Sequence, residues 1–142
     1  MSTPAVERTF EVDAPSRRAW ERIIDVRRWP EWAPHILAVT VSPDGPLGPT
    51  SSGALRIKGF GRNTFRMSVW DPPRRWEWVG GFPGLRIRYD HRFEEADSER
   101  TRLVWWVYLE GPLALLARPV FKRLYGRNLD RAIPRLQQWI TP

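Results

Sequence analysis

Tyr89 and His91 stand two residues apart in a run of alternating polarity from Leu85 to Glu94. On an extended strand, Leu85, Ile87, Tyr89, His91 and Phe93 share one face, and Arg86, Arg88, Asp90, Arg92 and Glu94 share the other. The apolar face must be the buried one, so Tyr89 and His91 point toward a core or a cavity. An imidazole in such a place can take or give a proton near neutral pH. A phenol beside it could polarise a carbonyl. Together they form a candidate acid–base pair for enolisation or dehydration. The plainer alternative is a polar pair hydrogen-bonded within the wall, orienting a ligand at most.

Other chemistries find less support. Arg8 shares a face with Val6, Phe10 and Val12. It either anchors the carboxylate or carbonyl of an apolar ligand or lies at a strand end and reaches solvent. Glu110 and Arg66 raise the same question more weakly. His35 follows Pro34 and reads as a loop residue with a surface role. With two histidines and no cysteine, a zinc site would need carboxylates, and no spacing resembles such a set. No metal and no cofactor are expected. There is no serine nucleophile elbow, and Gly59-Phe60-Gly61 lies between strands, where it does not cradle phosphate. Arg123, Arg127, Arg131 and Arg135 step by four and read as a solvated helix face.

Composition sets the frame. A chain of 142 residues argues for one domain, 1–142. Nine Trp are much bulk for it to bury, and a cavity-bearing fold would use them as lining as well as core. The net charge of +7 is nearly all arginine, with Lys58 and Lys122 the only lysines. Arginine, alanine and proline richness is partly what a GC-biased genome produces. The Trp residues look committed to the core, so no nucleic-acid partner is expected. A basic surface still favours loose contact with anions or membrane surfaces. The absence of cysteine fits a reducing cytoplasm. Met1 to Glu7 lacks the apolar run of a signal peptide. No stretch approaches the roughly 20 apolar residues of a membrane span. The expectation is a cytoplasmic protein without stable membrane insertion.

The elements that must position these residues follow from periodicity. Val6 to Val12 alternates as a strand with one buried side. Asp13 can cap a helix that Pro15 opens, with Trp20, Ile23 and Ile24 at helical spacing. Pro30 and Pro34 break that helix into a corner. Ile36 to Ser42 is a second strand, followed by a turn-rich loop from Pro43 to Pro49. Further strands are expected over Ala54–Phe60, Thr64–Trp70, Arg75–Val79, Leu85–Glu94 and Thr101–Leu109, close enough to pair as an antiparallel meander. Pro112 to Ile140 is helical. Its apolar stripe changes phase, from Leu113, Leu116, Val120 and Leu124 to Tyr125, Leu129, Ala132, Leu136 and Ile140. A straight helix cannot bury both against one sheet, so a break or bend is expected near Pro119 or Gly126.

On these residues the chain resembles the START/Bet v1-like (SRPBCC) superfamily, and within it the polyketide cyclase/dehydrase-like group. Ala14-Pro15, Trp20, Asp25 and Trp29-Pro30-Glu31-Trp32 carry the N-terminal part of the likeness. Asp71-Pro72-Pro73-Arg74-Arg75-Trp76-Glu77-Trp78, His91-Arg92-Phe93, Thr101-Arg102-Leu103 and Gly111-Pro112-Leu113 carry the rest. The resemblance implies an α+β helix-grip fold: a curved seven-stranded antiparallel sheet around a long C-terminal helix, with short helices after the first strand. It also implies a pocket between sheet and helix, its mouth framed by residues 59–63 and 80–84, with Phe60 and Phe82 as lids. Glycines beside an exposed aromatic make either a mobile apolar flap or tight turns with the aromatics tucked in.

The walls expected are Leu55 and Ile57 from the third strand, and Phe65, Met67 and Val69 from the fourth. Trp76 and Trp78 come from the fifth, and Ile87, Tyr89, His91 and Phe93 from the sixth. Leu103, Trp105 and Val107 come from the seventh, where the sequence leaves open whether Trp105 or Trp106 looks inward. Phe121, Tyr125 and Leu129 close the chamber. Relatives in the resembled group carry a glutamate near Val107, which is apolar here, and that departure favours binding over turnover. The function expected is binding or transport of a small hydrophobic molecule such as a polyketide, lipid, isoprenoid or quinone. A cyclase or dehydratase using His91 and Tyr89 is the alternative, and a protein-interaction module of the same fold is a third.

Overall fold

The computed structural model describes residues 3–141. Seven strands form one antiparallel sheet in the order β1-β7-β6-β5-β4-β3-β2. They are β1 (Val6–Val12), β2 (Ile36–Ser42), β3 (Ser52–Ile57), β4 (Gly61–Asp71), β5 (Arg75–Phe82), β6 (Leu85–Asp97) and β7 (Arg100–Glu110). Helix α1 (Ser16–Ile23) and a 3-10 segment (Val26–Glu31) fill the corner after β1, and α2 (Ala114–Ile140) lies along the sheet's inner face. The meander from β2 to β7 follows from short connections, which favour pairing of neighbours. β1 then pairs with β7, Val6 opposite Val107 and Val12 opposite Thr101.

The corner departs from expectation in two details. Asp13 does not cap α1: Pro15 holds the N-cap position with no side-chain hydrogen bond, and its carbonyl accepts from the Ala19 N–H at 2.9 Å. Pro30 sits inside the 3-10 segment rather than ending a helix. The corner is fixed instead by the Trp29 indole, which donates to the Ile23 carbonyl at 2.7 Å.

A bulge between Met67 and Val69 resets the alternation of β4. Trp70 then stands opposite Trp76 and packs edge-on against Trp20 at 5.1 Å. Val69, expected on the wall, pairs with Glu77 on the outer face. In β7, Trp105 is buried in the core. Trp106 takes the outer face, with the Arg92 guanidinium 4.6 Å above its ring. That outer face is tied by charge: Arg75 reaches Asp90 at 2.9 Å and Glu77 at 3.1 Å, Arg92 reaches Asp90 at 3.2 Å, and Arg88 reaches Glu77 at 3.1 Å. Both carboxylates are buried beneath these guanidinium groups.

Gly80 and Gly81 are not a loose flap. They belong to β5, paired with Ile87 and Arg86, and only Pro83 and Gly84 remain as the turn into β6. Gly81 has φ +121, and a Cβ on it would overlap the Leu85 carbonyl oxygen. The glycine is there to let two backbones approach.

α2 runs unbroken, with Pro119 and Pro134 inside it. Both prolines are exposed. On that side the carbonyls they leave unpaired can turn to water, so the helix survives them. The phase change is resolved by exposure instead of a break. Leu129, Ala132, Leu136 and Ile140 are buried, while Leu113, Leu116, Val120 and Leu124 face outward. Arg8 fastens the helix to β1: its guanidinium pairs with Asp130 at 2.7 Å and contacts the Gly126 carbonyl at 3.4 Å. A Cβ on Gly126 would come within 2.8 Å of that guanidinium.

Candidate functional site

Between the N-terminal half of α2 and the sheet lies a cavity of about 180 Å³. Its wall combines Ile57, Asn63, Leu85, Ile87 and Tyr89 of the sheet with Ala117, Val120, Phe121 and Tyr125 of α2. Phe60 and Phe82 stand at its mouth, Phe60 half-buried and Phe82 exposed. A second, inner chamber of about 40 Å³ is lined by Trp29, Trp32, Ala33, His35, Ile36, His91, Trp105 and Leu129. Tyr125 belongs to both walls.

The expected wall residues, Val69 aside, divide into four groups. Ile57, Phe60, Phe82, Ile87, Tyr89, Phe121 and Tyr125 stand together around the larger cavity, and His91, Trp105 and Leu129 around the inner chamber. Phe65, Trp76, Trp78, Phe93, Leu103 and Val107 are packed into the core, touching neither space. Leu55 and Met67 are partly buried against that core. Arg8 is engaged with α2, Glu110 faces Arg86 and Arg88 on the outer side, and Arg66 is exposed. His35 is half-buried at the inner chamber, not on the surface, because the corner after Pro34 turns it under.

The expected wall left out Leu85, Ala117 and Val120, and Asn63 was expected only in the segment framing the mouth. Asn63 was within reach: it shares the face of Phe65, and extending β4 by one residue would have brought it in. Trp29 and Trp32 read as core because nothing in their spacing marks a chamber beside them.

Burial sets the electrostatics. His91 stacks on Trp76 with centroids 3.7 Å apart and planes 12° from parallel, and Trp105 meets it edge-on at 5.8 Å. Desolvation lowers its pKa to about 3, against a smaller opposing pull from the Asp90 charge. His35 is lowered to about 4 by burial as well. Burial raises the Tyr89 hydroxyl, and raises Tyr125 with a smaller contribution from Tyr89 beside it. At neutral pH all four are uncharged. They can donate or accept hydrogen bonds, but they hold no charge to spend on a substrate.

Several buried nitrogens have no hydrogen-bond partner: Asn63 Nδ2 in the larger cavity's wall, and Trp32 Nε1, Trp105 Nε1, His35 Nδ1 and His91 Nδ1 on side chains of the inner one. Buried polar groups are rarely left so. An indole and a carboxamide nitrogen only donate. The arrangement therefore suits an apolar body carrying acceptor oxygens. Among the described residues, no group of three His, Cys, Asp or Glu side chains is placed to hold a metal ion. No helix among them is long and apolar enough to cross a membrane.

A seven-stranded antiparallel sheet closed over one long C-terminal helix, with an apolar cavity between them, defines the helix-grip class of START/Bet v1-like proteins. Solved structures share the arrangement. The Zhui aromatase/cyclase from Streptomyces sp. R1128 superposes with TM-score 0.76 at 21% identity, over 95% of this chain and 92% of that one. A START superfamily protein from Mycobacterium smegmatis gives 0.74 at 17% identity, over 95% of both chains. A protein from Thermobifida fusca gives 0.76 at 17%, over 95% of this chain and 91% of that one. Identities this low establish the fold alone. Among curated proteins, none matches the sequence at a significant level. The chain belongs to the family described as "Polyketide cyclase / dehydrase and lipid transport", which it matches over residues 3–137.

Proposed function

We propose that this protein binds a small, largely apolar molecule bearing one or two hydrogen-bond-accepting oxygens, in the cavity beneath the N-terminal half of α2. The observation that carries the reading is that cavity: about 180 Å³, walled by Ile57, Ile87, Phe121 and Tyr125, with the unpartnered Asn63 amide in its wall. Apolar lining with a few placed polar groups is the usual character of a small-molecule site. The volume suits a compact ring system or the end of a longer molecule reaching out past Phe60 and Phe82. Polyketide, isoprenoid and quinone chemistry all meet that description, as does a lipid with a carbonyl near one end. A cytoplasmic workplace goes with this reading, supported by a chain without cysteine.

Cyclisation or dehydration driven by His91 and Tyr89 is less well supported. A general base works best with a pKa near the operating pH. His91, lowered to about 3, is a feeble base, and Tyr89, raised by burial, is a feeble acid.

Filling the cavity tests the proposal. Ala117→Phe adds a ring to the wall without removing any core side chain. Native mass spectrometry of the wild-type protein purified from its own host should show a co-purifying organic molecule, and the variant should lose it while its thermal melt stays within a few degrees. Retention of the molecule by Ala117→Phe would place the site elsewhere.

A further inference from the structure

The outward stripe of α2 is what a solvated helix should not have. Leu115 is 86% exposed, Leu116 81% and Val120 61%, with Leu113 and Leu124 beside them. Val120 also lines the cavity, so this patch is continuous with the mouth. Phe82, across the mouth, extends it.

Charge around the mouth has one sign. The three segments framing it, 58–62, 80–85 and 111–129, contain no Asp or Glu. They present Lys58, Arg62, Lys122, Arg123 and Arg127, all exposed and, among the described residues, in no salt bridge. At the other end of β6 the pattern is different: Glu94 and Asp97 are matched by Arg102 at 3.8 Å and Arg100 at 3.6 Å. Unpaired basic side chains also stand elsewhere among the described residues, Arg17, Arg18, Arg56 and Arg66 included, but at the mouth they surround protruding apolar side chains in segments that carry no acidic residue.

We infer that the mouth face, centred on Leu115, Leu116 and Val120, docks onto the surface of a bilayer containing anionic lipid. Protruding leucines set among cations are what an interfacial helix presents to headgroups and acyl chains. Anionic lipid attracts each nearby Lys or Arg. A second copy of this chain is a poor occupant, because pairing the patch with itself would bring like charges together. The inference rests on the cavity reading above, and it names where the apolar ligand is exchanged: the mouth would open against the bilayer and spare the ligand a passage through water.

Co-sedimentation with vesicles tests this. The wild-type protein should bind phosphatidylcholine vesicles containing phosphatidylglycerol and bind pure phosphatidylcholine far less. About 1 M salt, where the screening length falls to about 3 Å, should weaken that binding. Leu115→Asn/Leu116→Asn should weaken it by about tenfold or more, the loss expected when two leucines no longer leave water. Arg123→Glu/Arg127→Glu removes exposed, unpaired charges and carries the test if the leucine variant does not fold. Ala117→Phe should keep vesicle binding even as it loses ligand, so the docking face and the cavity can fail separately. No vesicle binding, equal binding by the wild type and the Arg123→Glu/Arg127→Glu variant, or a concentration-dependent dimer that the leucine variant dissociates would each overturn the inference.

Discussion

His91 shows how a residue can be placed correctly by pattern and still be misjudged in chemistry. Alternation along β6 puts it on the inner face, where it is found. Its character is set by Trp76 and Trp105, its cross-strand partners on β5 and β7, and no rule local to β6 reports that an imidazole will be walled by indoles. The consequence is measurable. Unfolded, the imidazole titrates near 6.5; folded, near 3. Between those values the unfolded chain binds a proton that the folded chain does not, so acid favours unfolding. Stability from this group is complete above pH 6.5 and is lost as pH falls. From pH 7 to pH 5 the loss should be about 2 kcal/mol. Urea titrations at the two pH values should show it together with a comparable share from His35, lowered to about 4, and His91→Phe, which keeps a ring against Trp76, should remove about half of the combined difference. An unchanged pH dependence in that variant would mean that His91 is hydrated in the folded state.

At the scale of elements, the β2-to-β7 meander, the helix positions and the inner face of β6 were legible because period-2 and period-3.6 patterns and neighbour pairing are local, whereas the pairing of β1 with β7 was not, because it joins strands far apart in the chain. The bulge in β4 was not, because nothing between Met67 and Trp70 differs in type from an ordinary strand, and its effect is to exchange Val69 for Trp70 on the inner face. The fate of α2 was not legible either. Two prolines and two stripes predict a break when burial is assumed for every leucine, and the helix instead leaves one stripe in water. Gly81 is the element-scale feature most open to test. Alanine there must adopt φ near +121 and overlap the Leu85 carbonyl oxygen, which would part β5 from β6 beside the mouth. Gly81→Ala should cost about 2 kcal/mol or more in chemical denaturation. Gly48→Ala, in the loop after β2, meets nothing within 4 Å and should cost far less. Equal effects would remove the case that the backbone pairing needs glycine at position 81.

The whole molecule is firm at one end and loosely closed at the other. The C-terminal half of α2 buries Leu129, Ala132, Leu136 and Ile140, and Arg8 and Arg22 bind it to β1 and α1 through Asp130 and the Trp139 carbonyl. Its N-terminal half spans the cavity, with Phe121 its one buried apolar side chain before Gly126. Arg118, bonded to the Pro4 carbonyl at 2.9 Å, and the Leu113 N–H, bonded to the Gly84 carbonyl at 3.0 Å, tie it to the rest of the chain. Local opening takes place where few apolar contacts must be broken. Backbone amides of residues 118–124 should therefore exchange with deuterium faster than those of residues 127–140, and a molecule seated in the cavity should slow the first group while leaving the second unchanged. This asymmetry also gives ligand a route in, since lifting one half-helix widens the mouth between Val120 and Phe82 without disturbing the core of Trp76, Trp78 and Trp105. Uniform protection along α2 would require the mouth to admit its ligand with the helix closed, and a cavity of about 180 Å³ behind Phe60 and Phe82 would then accept only the end of a slender molecule.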